Sequence, residues 1–95
     1  YLDGPNTKAL FKDPEDMVVD SAGVVYVADS GNHAIRKISG TTVSTVAGGN
    51  GAGKVDGHGS KAKFYYPAGI AIQGTKTLYV ADRNNHLIRK IALSK

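Results

Sequence analysis

The chain has no cysteine, no tryptophan and a single methionine. Without cysteine there is no disulfide, no thiol nucleophile and no thiolate metal site. No apolar run reaches the roughly 18 residues that a membrane-spanning helix needs. No Asn-x-Ser/Thr glycosylation site occurs. Helical patterning is missing as well: no window keeps apolar residues at i, i+3, i+4 and i+7 for long enough to build a helix. Charge is close to balanced. Twelve Lys and Arg against 8 Asp and Glu leave a net +4, with a pI near 9.4. That allows weak attraction to acidic partners but falls short of a dedicated nucleic-acid stripe.

What the sequence does have is repetition. Residues 1–42 align with residues 54–95 at a constant offset of 53 and without a gap, giving 16 identities in 42 pairs. They include Asp3/Asp56, Phe11/Phe64, Pro14/Pro67, Asp29/Asp82, Asn32/Asn85, His33/His86 and Arg36/Arg89. A fixed period of this length marks a supersecondary unit that cannot bury its own faces and relies on neighbours.

Within a repeat, short β-branched and aromatic runs are separated by turn residues, and each run has strand length. Residues 1–53 are read as a first repeat, a link followed by strands near 17–20, 24–29, 34–39 and 42–47. Residues 54–95 are read as a second, with strands near 69–73, 77–82 and 87–92 and the outer strand missing. The turns are too short for crossover helices, so the strands form an antiparallel meander. Residues 24–28 are apolar without alternation, as expected of a strand covered on both sides. The predicted class is therefore all-β, a propeller of four-stranded antiparallel blades.

The third strand carries a sharper mark. Asn32-His33-Ala34-Ile35-Arg36-Lys37-Ile38 recurs as Asn85-His86-Leu87-Ile88-Arg89-Lys90-Ile91. Taken with Val25-Tyr26-Val27-Ala28-Asp29, Asp56-Gly57 and Pro67-Ala68-Gly69-Ile70, this string resembles the NHL repeat, named for its Asn-His-Leu triplet. The resemblance covers essentially the whole chain. It implies a propeller, most often of six blades. The family pattern usually has Arg after the His; Ala34 and Leu87 stand there here. Two blades leave two broad apolar faces exposed, so the ring is expected to be completed by other copies or by further sequence. Three copies would supply six blades, which makes a homotrimer the expected self-association.

The residues able to do chemistry are mostly the repeated ones. A catalytic group is needed once per site, a turn-capping group once per blade. Asp29, Asp82, Asn32, Asn85, His33, His86, Arg36, Arg89, Phe11, Phe64, Pro14 and Pro67 are accordingly read as structural. The two aspartates accept backbone amides, the two histidines bond the turn that they end, and the two prolines open inner strands where no N–H is needed. Of Arg36 and Lys37, and of Arg89 and Lys90, which lie on alternate sides of a strand, one is expected to reach an acid such as Asp29 or Asp82 on a neighbouring blade and the other to face the opposite gap or solvent. Gly48-Gly49-Asn50-Gly51-Ala52-Gly53-Lys54 has the outline of a phosphate-binding loop. Val55 follows where Ser or Thr should hold magnesium, and no helix comes next, so the run is read as a link between blades.

Meander geometry places that long link and the turns near 29–33 and 82–86 on one face. Asp56, His58, Lys61, Lys63, Tyr65 and Arg83 are the candidate ligand residues there, because loops on rigid scaffolds carry function. The leading expectation is a non-enzymatic scaffold that binds a protein or other ligand on this face, with no catalytic residue, metal or cofactor. The NHL resemblance adds one alternative, single-stranded RNA binding. A fragment of a propeller lyase or hydrolase is another, for which the acids Glu15, Asp16 and Asp20 near the inner strand are the available groups. The glycine-rich link resembles that of secreted or cell-surface members of the family.

Overall fold

The computed structural model describes residues 3–5, 10–57 and 61–93. Eight strands occur among them: β1 Gly4–Pro5, β2 Pro14–Val19, β3 Val25–Asp29, β4 Ala34–Ser39, β5 Thr42–Gly48, β6 Pro67–Gln73, β7 Thr77–Asp82 and β8 Leu87–Ala92. They form two antiparallel sheets, one in the order β1-β5-β4-β3-β2 and one in the order β6-β7-β8. In the first sheet β2 to β5 follow one another as an antiparallel meander, with a further two-residue strand on its outer edge. There the link returns to pair Gly4 with Val43 and Pro5 with Thr42.

Both inner strands start earlier than the apolar pattern indicates, at Pro14 and Pro67. The register passes from Pro14↔Asp29 to Asp16↔Ala28, and equivalently from Pro67↔Asp82 to Gly69↔Ala81. A bulge at the second residue of each strand absorbs the extra position. Proline opens the strand, where its missing amide costs no ladder bond.

The two sheets share one core. Tyr26, Ala28, Ile35 and Ala47 of the first meet Ile70, Leu78 and Val80 of the second, with Phe64 wedged among them from the link. This explains half of the unalternating pattern in β3: Tyr26 and Ala28 face the second sheet. On the opposite side of β3, Asp29 takes the Lys12 amide of the chain's own link. Gly48 closes the arrangement. At φ 79°, a Cβ there would stand 2.4 Å from the His33 carbonyl and 3.0 Å from the Phe64 ring, so only glycine lets the link turn past the core.

Phe64 and Phe11 occupy equivalent places, yet Phe64 is fully buried and Phe11 only half so. Phe64→Ala is therefore expected to lower unfolding free energy by about 3–5 kcal/mol, and Phe11→Ala by clearly less. Urea denaturation of the two variants checks the order.

Candidate functional site

The repeated polar residues build the same clamp twice. In the first repeat, Asp29 ends β3 and stands directly opposite Ala34. Arg36, two residues along β4, shares its face as a diagonal neighbour. Arg36 Nη1 donates to Asp29 Oδ2 at 2.8 Å and to the Leu10 carbonyl at 2.7 Å, and Nη2 donates to Asp3 Oδ1 at 3.0 Å. Asp29 also accepts the Lys12 amide and the Asn32 side-chain amide, both at 2.8 Å. The guanidinium lies over the Phe11 ring, 4.7 Å from its centroid.

The second repeat makes the equivalent contacts. Asp82 accepts the Tyr65 amide at 2.8 Å, Asn85 Nδ2 at 2.7 Å and Arg89 Nη1 at 2.9 Å. Arg89 bonds the Lys63 and Val55 carbonyls and Asp56 Oδ1, and stacks on Phe64 at 4.9 Å. The expected reach of one member of each Arg-Lys pair to a neighbouring blade's acid is corrected here for the arginines: each pairs with acids of its own repeat. The register of Asp29 against Ala34 already puts the carboxylate beside the arginine, so no partner across the seam is needed.

The histidines are also placed differently from expectation. His33 and His86 end short 3-10 turns in the left-handed conformation, at φ 54° and 57°. Their backbone amides, not their rings, hold the turns, donating to the Ser30 and Arg83 carbonyls at 3.1 Å each. The His33 ring works across the seam, where Nδ1 accepts the Tyr66 amide at 3.0 Å.

The five candidate ligand residues that the structure describes do not form one site. Asp56 and Lys63 belong to the Arg89 clamp, Asp56 through its carboxylate and Lys63 through its carbonyl. Lys61 is exposed, and His58 lies outside the described residues. Tyr65 and Arg83 come together at the seam, where Tyr65 accepts the Asn84 amide at 3.0 Å. There Arg83 pairs with Glu15 of the first repeat at 3.6 Å, and the rings of His33, Tyr65 and Tyr66 cluster with centroids 4.6 to 5.8 Å apart. Ser30 adds a hydrogen bond from its hydroxyl to the Pro67 carbonyl. Glu15 and Ser30 were not among the candidates for this face. Their signal is departure from the repeat, since Ala68 and Arg83 stand at the equivalent positions.

A concavity of about 1120 Å³ opens between the two sheets, lined by Tyr26, Lys37, Val46, Phe64, Lys90 and Leu93 among others. Burial, with the nearby Asp20 carboxylate, pushes the Tyr26 hydroxyl above its ordinary pKa. Among the described residues no three His, Asp or Glu side chains stand together as a metal-binding group.

Residues 11–38 and 64–91 match the family model of the NHL repeat. The chain belongs to the NHL repeat family. It is 41% identical over 95 residues to the chloroplastic protein Suppressor of Quenching 1 of Arabidopsis thaliana, covering 98% of this chain and 9% of that protein. It is 41% identical over 92 residues to NHL repeat-containing protein 2 of Gallus gallus, covering 94% and 12%. Among solved structures, a structural-genomics protein of Bacteroides thetaiotaomicron superposes with a TM-score of 0.90 at 36% identity, over 96% of this chain and 24% of that one. The NHL chain described here thus spans about a tenth of these curated relatives and a quarter of that solved structure.

Two outcomes follow for the NHL clamp and seam. Asp29 and Arg36 are both fully buried. Asp29→Ala leaves a buried guanidinium without its close counterion and is expected to lower stability by about 3–5 kcal/mol, read by urea denaturation.

The second concerns pH. Burial, with a smaller push from Lys12, lowers the His33 pKa against an opposing pull from Asp82. Since the folded value lies below the unfolded value of about 6.5, the folded state binds fewer protons. The His33 contribution is therefore complete above that pH and lost as pH falls through the folded value. Protonation also removes the lone pair that accepts the Tyr66 amide. His33→Asn, which tolerates the left-handed backbone and does not titrate, should lose less stability than the natural chain between pH 7.5 and 5. Parallel urea midpoints at the two pH values test this.

Proposed function

We propose that the chain is a non-enzymatic interaction module, two blades of a propeller ring of six, and that it binds a protein on its long-link face. One observation carries the reading. The buried or half-buried charged side chains on that face, Asp29, Asp82, Arg36 and Arg89, recur once per repeat and are engaged in holding the links. The residues that break the repeat gather at the seam instead: exposed Tyr65, exposed Arg83 and Glu15. Tyrosine and arginine are the residue types that anchor protein interfaces, because they offer large, stiff contact surface with a polar end.

Peptide display tests the reading. Peptides selected on the natural chain should lose at least about tenfold in affinity, some 1.4 kcal/mol, on Tyr65→Ala or Arg83→Ala. A selection that yields peptides indifferent to both changes would sink it. A salt-dependent affinity for a single-stranded RNA pool, weakened by neutralising Lys61, Lys63 or Arg83, would move the assignment to nucleic acid. Turnover of a substrate that depends on one unrepeated residue, such as His58, would overturn the non-enzymatic reading.

A further inference from the structure

The link between the two repeats holds a residue pair that lies outside the aligned positions. Asn50 is one of five asparagines in the chain, and the one followed by glycine. Asn50, Gly51 and Ala52 are exposed. They form a lobe tied down on both sides: the Gly49 amide donates to the His33 carbonyl at 3.1 Å, and the Gly53 amide to the Phe64 carbonyl at 2.9 Å. Asn85 Nδ2 adds a bond to the Gly53 carbonyl at 2.8 Å. The lobe thus runs between two parts of this chain, the end of β5 and the start of the second repeat, and it is a tethered loop tip, where tolerance to chemical change concentrates.

We propose that Asn50 is a site of spontaneous modification, its side-chain amide lost to attack by the Gly51 backbone nitrogen. In that step a bond forms between Gly51 N and Asn50 Cγ, and the Cγ–Nδ2 bond breaks. Nδ2 leaves as ammonia, carrying the proton given up by the Gly51 amide. The product is a cyclic imide, which a solvent water then opens. Opening at Cγ leaves aspartate. Opening at the Asn50 carbonyl carbon leaves isoaspartate, with the main chain running through Cβ. Glycine favours the closure twice over: it has no side chain to crowd its nitrogen, and its backbone reaches conformations that other residues avoid. At φ 92°, a Cβ built on Gly51 would meet nothing within 4 Å, so the ring has open space around it.

Comparable residues elsewhere are held against the reaction. Asp3-Gly4 and Asp56-Gly57 place glycine after an acid. Asp3 Oδ1 accepts from Arg36 Nη2 at 3.0 Å and from the Thr45 hydroxyl at 2.9 Å, and Asp56 Oδ1 accepts from Arg89 Nη2 at 2.8 Å. Asn32 and Asn85, each followed by histidine, donate to the clamp aspartates at 2.8 and 2.7 Å. At Asn50 the change adds one negative charge to a chain of net +4. The isoaspartate form also lengthens the main chain by a methylene between the Gly49 and Gly53 tethers, on the link that carries Phe64, Tyr65 and Tyr66.

The test incubates the folded natural chain in mildly alkaline buffer, quenches it in acid, digests it with an acid-active protease and sequences the peptides by mass spectrometry. Asn50 should show the mass gain of an amide turned into an acid, with aspartate and isoaspartate both present. Asn50→Gln, whose longer side chain closes such a ring poorly, should lose the signal. The folded chain should react within about tenfold of the rate of a peptide spanning residues 46–54, since no opening of the fold is needed. An unchanged Asn50 in the folded chain would overturn the proposal, as would a reaction that proceeds only once urea has unfolded it. So would a signal that survives Asn50→Gln, or a gain at Asn32, Asn84 or Asn85 ahead of Asn50. None of these outcomes depends on a partner bound through Tyr65 and Arg83.

Discussion

The buried ion pair between the end of the second meander strand and the middle of the third holds each repeat together. Asp29 with Arg36, and Asp82 with Arg89, do more than neutralise each other. The carboxylate takes a backbone amide of the link and the guanidinium takes link carbonyls, so the pair ties an irregular segment to a regular sheet. A buried charge pair is tolerable only when its remaining donors and acceptors are satisfied, and the link backbone supplies much of that satisfaction. The phenylalanine under each guanidinium fixes the same link from its other side. The seam depends on this clamp in turn, because Phe64, Tyr65 and Tyr66 all lie on the link that Arg89 and Asp82 hold.

Much of this architecture was legible in the sequence. The strand runs, the turn residues and the period of 53 specify an antiparallel meander repeated twice, and repetition itself set the clamp aspartates apart from residues free to vary. The destinations of the charges were not legible. Alternation along β4 says that Arg36 and Lys37 face opposite sides. It does not say which side carries the acid; the pairing of Asp29 with Ala34 decides that, and register is a tertiary property. The bulges after Pro14 and Pro67 were hidden for a similar reason, since a bulge adds a residue without interrupting the apolar pattern.

The candidate site was readable only in part. Lys63 and Tyr65 are two residues apart, yet the first gives its carbonyl to the clamp while the second reaches the seam. Arg83 finds Glu15 across 68 positions of sequence, and only the packing of one sheet on the other brings them together. A reading based on loops alone gathers residues by their place in the chain. The better guide here is departure from the repeat, which marks Glu15, Ser30, Tyr65, Tyr66 and Arg83 at once.

The two-residue strand Gly4–Pro5 has a consequence for solubility. An outermost strand with open amides and carbonyls invites pairing with a strand from another molecule. By lying along Thr42 and Val43, the returning link covers part of that edge on β5, and proline has no amide to offer a newcomer. The covering runs through Asp3, which Arg36 and the Thr45 hydroxyl both grip. The same arginine that stabilises the blade from within thereby helps to keep its rim from templating fibrous growth.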